Sequence, residues 1–185
     1  MARSRLLSLL AAAVCVPAAV YAFNVATVSH PVSSALAADA RNEAFTIRAH
    51  LGSYVQPGVL VLDLVSAEDA SPVDLWRGLF QSAQAFHERG RTFERVEMAR
   101  GGEIVFLLDG EDFATLGSEF AFGQNPVYMI RTLPEKLQNP DGSSAYGTWT
   151  GGLLGVLGQQ LNDTNDAARR WASGGAAAEG SPELY

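Results

Sequence analysis

The fold is decided by a stretch that begins GVLVLDLVSAEDASPVDLWRGLFQSAQAFHERG (residues 58–90) and continues to Arg131. Residues 59–65 are almost wholly apolar and do not alternate, which is typical of a strand covered on both faces. Ser71 then supplies a helix cap and Pro72 suits the first turn, and the apolar residues that follow recur at spacings of three and four. This part of the chain predicts a buried strand and an amphipathic helix that ends at Gly90.

The rest of the stretch predicts a hairpin, a second helix and a last strand. Residues 91–99 alternate between charged and apolar side chains, residues 100–103 form a two-glycine turn, and residues 104–108 are apolar throughout. A helix through Phe113 and Phe120 follows, and residues 127–131 are interpreted as a strand. The order βαββαβ predicts an α+β, ferredoxin-like sandwich, with an extra N-terminal strand over residues 43–50 and a long C-terminal helix.

The flanking segments divide the chain into four parts. Residues 1–28 are interpreted as a signal peptide or an N-terminal membrane anchor, and residues 29–42 as a linker. Residues 43–172 form the α+β domain, and the Gly/Ala/Ser-rich residues 173–185 a disordered tail. Along the last helix, one apolar side is suited to cover the free face of the sheet or to dock on a partner; it carries Leu153, Leu157, Leu161, Ala168 and Trp171.

The N-terminal segment has the features of a targeting signal. Two arginines precede an apolar run that starts at Leu6, and no acidic residue appears before Asp39. Two sites suit cleavage, one after Val20-Tyr21-Ala22 and one after Ala35-Leu36-Ala37. Alternatively the segment stays uncleaved, because Leu6 to Val28 is long enough to span a bilayer, although its proline and alanines weaken insertion. Whether cleaved or anchored, the domain is expected to be exported, to the periplasm or another extracytoplasmic space. The remaining alternatives are an organellar transit peptide or no targeting function.

Composition excludes some functions. The formal net charge of −7 argues against nucleic acid, which requires a basic surface. The single cysteine, Cys15, lies in the N-terminal run, so the domain has no thiolate nucleophile or disulfide. The acids Asp109, Glu111 and Asp112 are expected to cap a helix rather than to bind a metal. We therefore expect no catalytic residues, no metal and no cofactor.

Two groups of residues are candidates for binding a ligand or a partner. The first combines aromatic and hydroxyl side chains with glycines before the last helix, where a helix N-terminus favours anions. The alternative for this group is a turn in which Trp149 is a packing anchor. The second is a polar lip at the start of the last predicted strand. The candidates are Tyr146, Thr148, Trp149 and Thr150 in the first group, and Gln124, Asn125 and Arg131 in the second.

Three glycines are expected to serve close packing of the last helix. Gly151, Gly155 and Gly158 fall on one side of the predicted helix. Since a glycine costs about 1 kcal/mol at a helix position, a compensating contact is expected. Close approach of another backbone, either that of the sheet or that of a partner, would supply it.

These features together suggest a binding protein rather than an enzyme. We expect an exported or membrane-tethered, non-enzymatic domain that binds a protein partner or acts as an accessory subunit of a membrane complex. The alternative is a small-ligand-binding protein or enzyme, with a pocket between the sheet and the Tyr146–Gly152 loop. Contact with the membrane is expected only through the N-terminal segment, if it is uncleaved.

Overall fold

The structure, a computed structural model, describes residues 15–175 of the chain, except for the side chain of residue 153. It is a mixed α+β fold with one five-stranded sheet and a long C-terminal helix. Within the first helix, Val25–Ser29 is wound as a π-helix and His30–Ala37 as an α-helix. The elements are α1 (residues 15–37), β1 (Thr46–Gly52), β2 (Gln56–Ser66), α2 (Pro72–His87), β3 (Arg95–Arg100), β4 (Glu103–Asp109), α3 (Gly110–Ala121), α4 (Pro126–Thr132), β5 (Leu137–Gln138) and α5 (Leu153–Ser173).

The strands lie in the sheet in chain order, β1-β2-β3-β4-β5. All neighbours are antiparallel except β2 and β3, which run parallel and are joined by α2. A ferredoxin-like sheet would place β2 beside β4, but β3 lies between them, so the predicted ferredoxin-like order differs from that of the structure. Because β2 and β4 are interior strands in both arrangements, their apolar composition does not distinguish one order from the other.

Residues 127–131, predicted as the last strand, belong to helix α4. Pro126 occupies the first turn, and the side chain of Asn125 accepts a hydrogen bond from the backbone N–H of Val127 at 2.9 Å. These are ordinary signals of a helix start. A short apolar run fits a buried helix as well as a strand, and Met129 is fully buried here as a helical residue. The two-residue strand β5 takes the sheet edge instead.

Helix α2 is confirmed where the sequence predicts it. Ser71 and Asp74 form a capping box, with the Ser71 side chain accepting from the Asp74 N–H and the Asp74 side chain from the Ser71 N–H. The predicted apolar face is buried almost completely, from Trp76 to Phe86. Its burial stabilises the fold by several kcal/mol, at roughly 1.5–3 kcal/mol per large side chain.

Helix α5 lies on the same side of the sheet as α2. The indoles of Trp171 and Trp76 are fully buried and stack with ring centroids 5.9 Å apart. Leu161, predicted on the packed side, is 51% exposed, because the buried stripe is turned towards Trp76; it consists of Gln160, Thr164, Ala167, Ala168 and Trp171. The helix therefore leaves the opposite face of the sheet uncovered.

The segment 29–42, predicted as a linker, is the end of α1 followed by a 3-10 turn at Ala40–Asn42. Val28, Val32 and Leu36 recur every four residues and are buried to 8% exposure or less. Such spacing is that of one helix face, and the small residues between them let the helix pack closely. Among residues 15–175, no helix combines the length and the apolarity needed to cross a bilayer. Residues 1–14 of the predicted signal peptide or anchor and 176–185 of the predicted tail lie outside the described residues.

The end of α1 is fastened to α2 by hydrogen bonds to Asp39. Its carboxylate accepts from the Arg41 guanidinium at 2.7 Å and from the Gln81 side-chain amide at 3.0 Å, with Arg77 3.7 Å away. The hydrogen bonds from Arg41 hold the pKa of Asp39 well below its usual range. The carboxylate is therefore charged at neutral pH and links the two helices.

Because the pKa of Asp39 is low, we expect the wild type to lose free energy of unfolding in acid. The variant Asp39→Asn lacks this carboxylate and should not show that loss. The pKa is lower in the folded chain than in the unfolded chain, where it is about 3.8. The carboxylate therefore stabilises the fold above that pH, and its contribution decreases as the pH falls towards the folded-state value. We expect the difference in free energy of unfolding between wild type and variant, measured with urea, to be smaller at pH 3 than at pH 7. An equal difference at both pH values would contradict this assignment.

Candidate functional site

The Tyr146–Thr150 segment lies along helix α5 and is bound to it by hydrogen bonds. The Tyr146 hydroxyl donates to the carboxylate of Asp166 at 2.9 Å, and the Trp149 indole N–H donates to that of Asp163 at 2.7 Å. The side chain of Gln159 bonds both the backbone N–H and the carbonyl of Thr150, each at 3.3 Å. Positions 159, 163 and 166 are four and three apart, so one side of α5 holds the whole segment.

Tyr146 is further held by Arg170, which also belongs to α5. The guanidinium of Arg170 lies 5.7 Å from the Tyr146 ring centroid and 4.6 Å from that of Phe106 on β4. It also donates to the side chain of Asn139 at 3.0 Å. Burial, together with the hydrogen bond to Asp166, raises the pKa of Tyr146. The phenol therefore stays protonated and keeps donating to Asp166 across the physiological range.

These contacts occupy most of the polar groups of the binding site predicted before α5. The polar groups of Tyr146 and Trp149 and the backbone of Thr150 have partners within the chain, whereas Thr148 is exposed. Helix α5 begins after Gly152 without a side-chain cap. The geometry favours the anchoring interpretation of Trp149. Ligand binding at this segment stays a prediction.

The three residues of the predicted polar lip have different surroundings in the structure. Asn125 caps α4, and the Gln124 side chain accepts from the Asn125 N–H at 2.9 Å. Within the part of the chain that the structure describes, the buried Nε of Arg131 has no hydrogen-bond partner. The structure thus gives Gln124 and Asn125 local roles at a helix start and does not gather the three residues into a binding site.

The three glycines predicted to pack closely do not share one environment. Gly151 precedes α5 with a φ of +115°, a conformation that favours glycine over other residues. Gly155 and Gly158 lie within α5, where no described atom comes within 4 Å of a Cβ placed on either. The sheet therefore does not approach them in the described part of the chain, and approach by a partner stays a prediction.

Two glycine substitutions are expected to change stability in opposite directions. A Cβ at Gly110 would lie 1.8 Å from the carbonyl oxygen of Phe93, so Gly110→Ala must displace backbone and should cost about 1–3 kcal/mol or more. Gly155→Ala enters open space within a helix and should stabilise by about 1 kcal/mol. Urea denaturation of both variants measures this, and equal effects would contradict the packing described.

The uncovered face of the sheet, which we call the open face, is built by strand alternation. Ile47, Ala49 and Leu51 of β1 pair with Leu64, Leu62 and Leu60 of β2, and all six are buried on the helical side. The residues between them point the other way. Arg48 pairs with Asp63, and His50 pairs with Val61. The alternation that supplies the core thus also places charged side chains on the open face.

A cleft of about 550 Å³ lies on the open face. Every residue that lines it belongs to a strand or a hairpin turn, and none to a helix: Arg48, His50, Ser53, Tyr54, Val61, Asp63, Val65, Glu97, Gly101, Gly102 and Ile104. The two glycines form the turn of the predicted hairpin, with φ values of +59° and +88°. The turn is therefore part of the cleft wall.

The cleft combines both signs of charge with apolar surface. Asp63 is 7% exposed, and its carboxylate accepts from the backbone N–H of Gly102 at 3.1 Å. Glu97 pairs with Arg95 at 2.7 Å, and the His50 ring stacks on Tyr54 with centroids 4.5 Å apart. The carboxylate of Asp63 is therefore held within the sheet, whereas Arg48 is exposed in the cleft.

The open face was missed by sequence reasoning for a specific reason. The sequence predicts an extra strand over residues 43–50 and a final helix suited to cover the free face of the sheet. Asp63, the single charge in an apolar strand, was the available signal, because an acid inside such a strand must meet either a partner or water. Its position opposite Arg48 became apparent only from the strand register.

Within residues 15–175, no three or more His, Cys, Asp or Glu side chains are grouped so as to hold a metal ion. His50 and His87 make separate aromatic contacts: His50 stacks on Tyr54, and His87 contacts the ring of Phe122.

Comparison of the chain with protein-family models, with curated proteins and with solved structures finds no match.

Proposed function

We propose that this chain is an exported or membrane-tethered, non-enzymatic domain that binds a protein partner through the open face, as an accessory subunit of a membrane complex. One observation carries the proposal. The described helices α1, α2, α3 and α5 pack on one side of the sheet, and the other side presents a cleft lined only by strands and turns. A sheet face left free of its own helices is available to another chain.

The chemistry of the open face favours a polypeptide as the partner. Arg48 offers an exposed cation, the ion pair of Arg95 and Glu97 carries both signs of charge, and apolar groups lie beside them. Protein interfaces combine apolar groups with a polar rim, and here Val65 and Ile104, each 38% exposed, lie among charged side chains. The net charge of −7 disfavours nucleic acid and anionic lipid surfaces as the partner.

Export is proposed from the N-terminal segment. Arg3 and Arg5 followed by an apolar run are the pattern of a secretion signal, and the domain would then face the periplasm or an equivalent space. Residues 15–19 and 21–23, nearly all apolar, are exposed on the folded domain. Exposure of such side chains is costly in water and is relieved by a membrane or by removal of the segment.

Site-specific photocrosslinking tests the proposal. A photocrosslinking residue replaces Val65 on the open face or, as a control, Val73 on α2, which is 54% exposed on the helical side. After irradiation of membranes from cells that make the exported chain, position 65 should give a discrete crosslinked protein and position 73 should not. The additional substitution Arg48→Glu should abolish the crosslink at position 65. Equal crosslinking from both positions, or a crosslink that Arg48→Glu leaves unchanged, would refute binding through this face.

A further inference from the structure

The boundary between the targeting segment and the folded domain is sharp in the structure. Residues 15–19 and 21–23 are exposed, and residue 20 is half-buried. Asn24 is then 1% exposed, and Val28 and Val32 are not exposed at all. Burial therefore begins at Asn24, in the middle of one continuous helix.

The buried side chain of Asn24 is hydrogen-bonded to β1 and to the turn that follows it. Its side-chain oxygen accepts from the backbone N–H of Leu51 at 2.8 Å, and its side-chain amide donates to the carbonyl of Tyr54 at 2.6 Å. One turn further on, the Ser29 hydroxyl donates to the carbonyl of Ala49 at 2.7 Å. Leu51 and Ala49 belong to β1, the edge strand, so α1 satisfies backbone groups that would otherwise be open to another strand.

The chain between Asn24 and Ala37 is held along its whole length. Arg91 donates to the carbonyl of Thr27 at 2.9 Å, and Leu36 is 8% exposed. Directly after the helix, Asp39 joins α2 through Gln81. No residue from 24 to 37 can be removed, or drawn into a membrane, without opening this packing.

Two of the three possibilities that the sequence left open are disfavoured on this ground. Cleavage after Ala37 would remove a helix that closes the core and covers the sheet edge. A membrane span from Leu6 to Val28 would place Asn24 and Val28 in lipid, although both are buried in the domain. Ended at Phe23, the apolar run has 18 residues, which is at the short end of the range for a membrane span.

We propose that a membrane-bound signal peptidase cleaves the chain between Ala22 and Phe23, so that the mature protein begins one residue before its first buried side chain. Water adds across that peptide bond, leaving a carboxylate on Ala22 and a free amino group on Phe23. The sequence Val20-Tyr21-Ala22 offers the small residue required before the bond, and both residues flanking the bond are exposed. The inference rests on the proposed export of the chain.

The test is to identify the N-terminus of the exported protein. The full chain with a C-terminal tag is made in a Gram-negative host, and the purified product is examined by N-terminal sequencing and intact mass. We expect a product that begins Phe23-Asn24-Val25, with a mass reduced by that of residues 1–22. Two matched variants replace exposed alanines before the alternative bonds. Ala22→Phe should leave most of the chain uncleaved, and Ala37→Phe should be processed like the wild type.

The remaining outcomes overturn the inference in distinguishable ways. A product that begins at Ala38 would refute it and would contradict the packing of α1. A full-length chain in the membrane fraction would refute cleavage but would leave a membrane-tethered partner-binding domain standing. An uncleaved chain in the cytoplasm would refute both the cleavage and the proposed export.

Discussion

A chain that begins at Ala38 is expected to lose most of its folding free energy, whereas a chain that begins at Phe23 is expected to keep it. The longer truncation removes the buried side chains of Val28, Val32 and Leu36. At roughly 1.5–3 kcal/mol for each, their loss amounts to about 5–9 kcal/mol, against a total stability of about 5–15 kcal/mol for a domain. Circular dichroism during urea denaturation of the two chains measures the difference.

The shorter truncation is the matched control for this experiment. It removes only residues before Phe23, whose described members are exposed or, at residue 20, half-buried. The longer truncation also uncovers Ala49 and Leu51 at the sheet edge, so we expect it to associate at high concentration. Equal unfolding midpoints for the two chains would show that α1 is not part of the folded core.

Trp171→Ala is expected to destabilise the domain by about 3–5 kcal/mol, the usual cost of removing a fully buried large aromatic side chain. The indole of Trp171 is buried between α5 and the sheet, stacks on Trp76 and donates to the carbonyl of Ala99 at 2.9 Å. Its removal leaves a cavity, an unpaired buried carbonyl and a loosened C-terminal helix. The free energy of unfolding from urea denaturation measures the loss.

Trp149→Ala is the matched control, because it removes the same side chain from a half-exposed position. Trp149 has one hydrogen bond, to Asp163, and it lies outside the core. We expect this variant to lose about 0.5–1.5 kcal/mol, the net value of one hydrogen bond. If Trp149→Ala proved as costly as Trp171→Ala, the Tyr146–Thr150 segment would have to be counted as core.

Helix α2 and the Gly101-Gly102 hairpin were predictable from sequence because their causes are local. The capping box of Ser71 and Asp74 and the positive φ values of the two glycines depend on residues only a few positions apart. Four-residue spacing also marks Val28, Val32 and Leu36 as one helix face, whereas the alanines and serines around them are typical of a linker. The two local signals conflict, and tertiary packing decides between them.

The order of the strands and the face covered by α5 could not be predicted in the same way. A strand pattern records that a face is buried and not which strand lies beside it, so β2 beside β3 and β2 beside β4 are equally compatible with the sequence. The buried stripe of α5 is set by Trp76, which is almost a hundred positions away in the chain. The open face follows from both of these non-local facts.

The α+β class, the main helix and the hairpin could be predicted from the sequence, because each depends on neighbours along the chain. Contacts in three dimensions, in contrast, fix the strand order, the packing of α1 from Asn24 onwards and the alignment of Arg48 with Asp63. The physical reason is that burial and register are set by contacts between residues distant in sequence. The open face and the proposed start of the mature chain both arise from such contacts.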